Sequence, residues 1–153
     1  MPQQNLPDFD SLWDYSNPDQ TESKFREILL QIPANDPAYL ELLTQIARSQ
    51  GLQRRFDEAH LTLDQVEIVL DENSSRAQVR YLLERGRVFN SSGRTNEARL
   101  FFEQALDLAK QLGEDFYAVD AIHMLAIIAE PASALTLNLQ AIQLAESSGQ
   151  EKA

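Results

Sequence analysis

Residues 76–112, RAQVRYLLERGRVFNSSGRTNEARLFFEQALDLAKQL, hold two helical periods separated by a single stop. Val79, Leu82, Leu83, Gly86 and Phe89 recur at three- and four-residue spacing, which is one face of a helix. Ala98, Phe101, Phe102, Ala105, Leu108, Ala109 and Leu112 repeat the pattern. Ser91-Ser92-Gly93 ends the first helix, because glycine accepts the left-handed conformation of a cap. Thr95 or Asn96 then starts the second, with Glu97 in the first turn, where the helix dipole favours an acid. Small residues at Gly86, Ala98 and Ala105 stand beside large aromatics, so the two helices are expected to approach closely. A chain built around such a pair must pack helix on helix.

The flanking segments continue the theme. The apolar periodicity predicts helices over 9–15, 19–32, 37–50, 55–71, 76–92, 95–112, 115–130 and 131–148. Asn17-Pro18 is a cap and first-turn pair ahead of the second of these, and Pro131 opens the last at a position where its missing N–H costs nothing. Gly51 leaves the end of the third helix open: it either stops the helix or lies within it. No alternating strand pattern and no two-residue hairpin turn competes.

Gly86-x-x-Phe89, followed by Ala98-x-x-x-Phe102 with Ala105, resembles the tetratricopeptide repeat. The unit departs from the family pattern in lacking an opening Trp, in Arg85 at a leucine position and in Lys110 where proline is common. Marking each second helix by its small residue gives Ala59, Ala98 and Ala134, with loops somewhat longer than the family's period of about 34 residues requires. The resemblance implies an all-α, right-handed stack of helix pairs in one domain over residues 1–153. A degenerate pair at 8–33 would precede repeats at 37–71, 76–112 and 115–148. It also implies a concave groove lined by the first helix of each pair. By that resemblance Thr44, Arg48, Arg80, Leu83, Arg87, Asn90, His123 and Ile127 face the groove. Some family members bind peptide carboxylates through lysine and asparagine at such slots; that exact set is not here, so that partner class is not carried over.

Net charge is −11, which argues against a nucleic-acid partner, since such proteins need a basic footprint. The charge is unevenly spread. Residues 1–47 hold eight acids and two bases, residues 48–99 eight acids and nine arginines, and residues 100–153 eight acids and two lysines. Guanidinium suits planar, bidentate recognition of carboxylates, so an acidic peptide or helix is the expected partner of the arginines in the groove. Their bland alternative is solvated pairing with Glu41, Glu84 and other nearby acids, at a few tenths of a kcal/mol each. The sequence contains no apolar run of about 20 residues, so no membrane span is expected. Its N-terminus lacks the basic start and apolar centre of a signal peptide, and the absence of Cys fits a reducing compartment; cytoplasm is the expectation.

Enzymatic signatures are missing. The chain has no phosphate-binding glycine loop, no nucleophile elbow and no H-E-x-x-H, and its two histidines, His60 and His123, each lack a second ligand at metal spacing. Neither a catalytic residue, a metal nor a cofactor is expected. Trp13 reads as the core anchor of a short first helix rather than a ligand-stacking ring. The leading expectation is a non-catalytic adaptor that holds a partner peptide or helix. The alternative is a self-associating protein. Where earlier second helices carry His60 and Asp64, or Arg99 and Glu103, the last carries Leu135 and Leu139. That widens its apolar arc to about 220°, at about 100° per residue, and a helix apolar over more than half its circumference needs cover on two sides. Leu135 and Leu139 are therefore the expected contact of a homodimer.

Overall fold

The two periods about Gly93 fold back on each other in the computed structural model, which describes residues 8–148. Among these residues there are a 3-10 turn at Phe9–Leu12 and seven α-helices, without strand: α1 (Pro18–Leu29), α2 (Pro37–Leu52), α3 (Phe56–Val69), α4 (Ser75–Ser91), α5 (Thr95–Leu112), α6 (Asp115–Ile128) and α7 (Pro131–Ser148). Each helix packs on the next. In addition α2 touches α4, and α4 touches α6, so these three lie side by side.

Helix α4 is the centre of this arrangement, and its approach to α5 is set by one missing side chain. A β-carbon placed on Gly86 would stand 2.5 Å from the Phe102 ring, which is fully buried. Phe102, Ala98, Ala105 and Ala109 on α5 pack with Val79 and Leu83 on α4 and with Ala118, Ala121 and Leu125 on α6. A second cluster, around Phe25, Leu42, Ile46, Leu63 and Val66, joins α1, α2 and α3. The core thins toward the C-terminus. Val119, Ile122 and Ala141 are the buried members of its last cluster, and Ala141 is the buried residue of α7. Ala134, expected in the same close-contact slot as Ala59 and Ala98, is only half-buried, while those two are fully enclosed. The difference follows from α7 packing mainly on α6, whereas α3 and α5 each have two substantial neighbours.

Helix ends obey a common rule. Gly93 (φ 87°) and Gly113 (φ 70°) are left-handed, and the residue after each donates its N–H to the carbonyl five residues back: Arg94 to Phe89 at 2.8 Å, Glu114 to Ala109 at 2.9 Å. The same closure ends α2, where Arg55 donates to Gln50 at 2.9 Å, but there the left-handed residue is Arg54 (φ 62°). Gly51 therefore lies inside α2, three residues before the position that wants glycine. Asp36 caps the start of α2, accepting from the Ala38 N–H at 2.9 Å.

Four expected helices are shorter than the periodicity suggested, α6 ending at Ile128 rather than at 130. The segment expected as a helix over 9–15 is helical only at Phe9–Leu12; Trp13 is already extended (ψ 128°), since so short a segment gains few intrahelical hydrogen bonds to offset nucleation, and its indole is held by Gln45 and Phe25 instead. Helix α1 stops at Leu29, and Ile32 reaches the core from a turn, since Pro33 disfavours helical backbone at the residue before it. Helix α3 ends at Val69 as Leu70 turns to ψ 135° and the Asp71 N–H is taken by the Ser74 hydroxyl at 2.9 Å.

The glycines supply a stability test with opposite signs. Gly86→Ala gains helix propensity of about 1 kcal/mol, but overpacking a closed core costs about 1–3 kcal/mol. The expected result is a net loss and a lower urea midpoint. A β-carbon on Gly51 would meet only Val88, at 3.6 Å, so Gly51→Ala should raise the midpoint by the propensity term of roughly 0.5–1 kcal/mol. Arg54→Gly should also stabilise, by about 1 kcal/mol, by relieving a left-handed non-glycine.

Candidate functional site

Side chains at i, i+3, i+4 and i+7 share one face of a helix, and on α4 that register is Arg80, Leu83, Glu84 and Arg87. With Gln45 and Arg48 of α2 and Phe116, Tyr117, Asp120 and His123 of α6, this face lines a cleft of about 450 Å³. The remaining wall is the chain's own N-terminal segment, through Asp8, Asp10, Ser11, Trp13 and Tyr15. Leu83 lines the cleft and also belongs to the Phe102 cluster, so the packing that holds α4 against α5 also helps to fix the floor of the cleft.

Arg80 dominates the floor. Its side chain is 5% exposed, and its two terminal nitrogens grip the Asp10 carboxylate at 3.0 and 2.6 Å, a bidentate fork. Glu41 stands 3.4 Å away, and the rings of Phe9 and Tyr117 lie 5.6 and 5.3 Å from the guanidinium carbon. Burial pushes the Glu41 carboxyl up, against the pull of Arg80 and Arg76. Burial likewise raises the Tyr117 phenol to about 12, with Asp10 and Glu41 adding to the rise and Arg80 opposing it. One turn on, Arg87 bridges Glu84 at 3.0 Å and Asp120 across to α6. Glu84 also accepts from the Gln45 amide at 3.4 Å and faces Arg48 at 3.9 Å. Arg48, the most exposed of the three arginines in the cleft, sits over the rings of Trp13 and Tyr15 at 5.6 and 4.9 Å. Among the described residues two deeply buried side-chain atoms lack a hydrogen-bond partner, Nε of Arg80 and Oε1 of Glu84.

Of the residues assigned to a groove from sequence, Arg48, Arg80, Leu83, Arg87 and His123 come together here. Thr44 does not: it is fully buried, its hydroxyl donating to the Glu41 carbonyl at 2.6 Å. Asn90 and Ile127 lie outside the cleft lining, Ile127 at the surface. Asp8, Asp10, Glu84 and Asp120 face three arginines in the cleft, so its wall is charge-balanced rather than basic. Sequence reasoning missed the part played by Asp10, Trp13 and Tyr15. The available signal was the excess of acids in residues 1–47 beside the arginine surplus of the middle third. Trp13, expected as a core anchor, does pack against the buried cluster, edge-on to Phe25 at 5.3 Å. It also reaches the cleft, and its indole N–H donates to Gln45 at 3.0 Å.

The two histidines lie in different places. His123 is at the exposed rim of the cleft, whereas His60 packs on Phe89 with ring centroids 4.7 Å apart. The Arg85 guanidinium, at the position where the family has leucine, meets the His60 ring at 2.9 Å and Asp64 at 2.7 Å, tying α3 to α4. Among the described residues no group of three or more His, Asp or Glu side chains is placed to hold a metal, and no helix is long and apolar enough to cross a membrane.

Desolvation and the neighbouring Arg85 charge hold the His60 imidazolium below its usual range, against the pull of Asp64 and Asp57. The folded state therefore binds fewer protons than the unfolded chain just below pH 6.5, and stability is lost as pH falls through that window. His60→Gln should remove this loss: the difference in urea midpoint between pH 7.5 and 5.5 is expected to be smaller in the variant than in the wild type. No family model matches this chain, and no curated protein or solved structure matches it either.

Proposed function

We propose that the protein is a non-catalytic interaction module of tetratricopeptide-like, stacked helix-pair build, holding a peptide or helix of a protein partner in the cleft between α2, α4 and α6. The observation that carries this reading is that three alternate helices each turn one polar and aromatic face into a single cleft of about 450 Å³. Rigid helices present pre-set side chains at little entropic cost to binding. Every carboxylate on the helical walls is engaged by an arginine, an arrangement that holds shape rather than passing protons. Arg80 and Arg87 are already committed to Asp10, Glu84 and Asp120, so Arg48, the most exposed of the three and 3.9 Å from Glu84, is the guanidinium best placed to meet an acidic partner, with His123 at the rim as a further polar position.

A second reading, self-association, is favoured by one face of α7. Leu135, Leu139 and Ile142 are 64%, 53% and 52% exposed, a continuous apolar strip uncovered by the described residues. A twofold dimer would bury it.

Selection of displayed random dodecapeptides against the full chain tests the first reading. Selected peptides are expected to bind with micromolar affinity, to weaken as salt rises, and to lose about ten-fold in affinity, about 1.4 kcal/mol, with Arg48→Ala/His123→Ala. Failure to select any peptide sensitive to these substitutions would sink it. Sedimentation tests the second. A dimer that becomes monomeric in Leu135→Glu/Leu139→Lys supports it, and a wild-type monomer at high concentration ends it.

A further inference from the structure

Residues 8–15 sit in the cleft as a ligand would. Little secondary structure holds them there: the 3-10 turn is four residues long and its helix contacts are with α1. Phe9 anchors them in the core, edge-on to Phe25 at 6.2 Å, and the remaining hold is a set of side-chain contacts to the cleft. Asp10 enters the buried fork of Arg80, at 2.6 and 3.0 Å. Three residues on, the Trp13 indole donates to Gln45 at 3.0 Å, and its ring stacks on Tyr15 at 4.6 Å under the Arg48 guanidinium. An acid in a guanidinium fork and an aromatic anchor beside a cation are recognition contacts, specific in residue type and spacing. The occupancy is also unfinished. Arg80 Nε and Glu84 Oε1, a donor and an acceptor on cleft-lining side chains 5% and 3% exposed, have no hydrogen-bond partner among the described residues, Arg48 Nε standing 3.9 Å from Oε1. The N-terminal segment covers the side of the cleft formed by α2 and α4, and Phe116, Asp120 and His123 on α6 form the other side.

We infer that Asp10-Ser11-Leu12-Trp13 is a built-in copy of the motif this cleft recognises, and that the partner is a protein segment with an acidic residue followed three positions later by a large aromatic one. The inference rests on the reading of the cleft as a peptide site and names what that site takes. The built-in copy also acts as a filter. A tethered competitor works at an effective concentration set by its linker, of millimolar order for short flexible ones. Only segments that outbind it, by also reaching Arg80 Nε, Glu84 Oε1 and the α6 wall, displace it.

The test titrates a fluorescein-labelled peptide of residues 7–16, PDFDSLWDYS, into the full chain and into its Asp10→Asn/Trp13→Phe variant, read by anisotropy. The variant, whose own segment is weakened, is expected to bind at least ten-fold tighter than wild type. Replacing the peptide's second aspartate with alanine should cost at least ten-fold. Equal affinity for both chains, or indifference to that aspartate, overturns the inference. If the variant does not fold, the wild type still decides. Trp13 is its single tryptophan, and excess unlabelled peptide with Phe in place of Trp should shift its emission to the red as the segment leaves; unchanged emission overturns the inference. Peptides selected from a library that bind the cleft without the acid–aromatic spacing would end this inference and leave the peptide-module reading standing. A wild-type dimer that the peptide dissociates would assign the cleft to a second copy's segment and overturn the partner assignment.

Discussion

The rest of the structure depends on the space that Gly86 leaves for Phe102. With no β-carbon in the way, the ring fills the interface and α4 lies close against α5. Helix α4 then serves two clusters at once, since Val79 and Leu83 pack toward α5 and α6 while Ala77, Tyr81 and Val88 pack toward α2 and α3. Its remaining face meets rings rather than aliphatic side chains, Phe9 and Tyr117 beside Arg80, and carries Arg80, Glu84 and Arg87. The polar cleft is thus a consequence of how the apolar sides of the helix are used.

Burying arginine is costly, because a guanidinium removed from water must recover its solvation from partners. The chain meets that cost by pairing across long sequence distances. Seven of the nine arginines in residues 48–99 make ion pairs, and six of them reach acids outside that stretch or on another helix: Arg48 to Glu84, Arg80 to Asp10 and Glu41, Arg55 to Glu22, Arg76 to Glu114, Arg85 to Asp64, Arg87 to Asp120. Buried pairs of this kind add little net stability over apolar packing, but breaking one partner leaves a stranded charge. They fix which segments lie against which. The exclusion of water around Arg80 also explains why its aromatic and carboxylate neighbours, Tyr117 and Glu41, are both raised from their ordinary range: burial penalises their charged forms more than the guanidinium relieves them.

Packing declines along the chain. Helices α2 to α5 are enclosed by neighbours, while α7 has one buried residue and a strip of exposed leucine and isoleucine. A helix of that composition has apolar area to spare once its contact with α6 is made, which is the physical basis for reading this end as the place where something else docks.

Helix positions were legible in the sequence because periodicity, small residues and stop signals are local properties. The Gly86 slot, the left-handed turn at Gly93 and the proline start of α7 could all be read from residues a few positions apart. Other ends were not read from the sequence: the short first turn, the early stop of α1 ahead of Pro33, and Arg54 rather than Gly51 at the left-handed position. The arginine face of α4 was legible as a cluster, but its charge balance was not. Whether a guanidinium is free or spent depends on which carboxylate the fold brings to it, and Asp10 lies seventy positions from Arg80. Local spacing by itself determined the helices and their contact faces; only the tertiary structure decided that the N-terminal segment would lie in the cleft, because long-range ion pairing leaves no periodic trace in the chain.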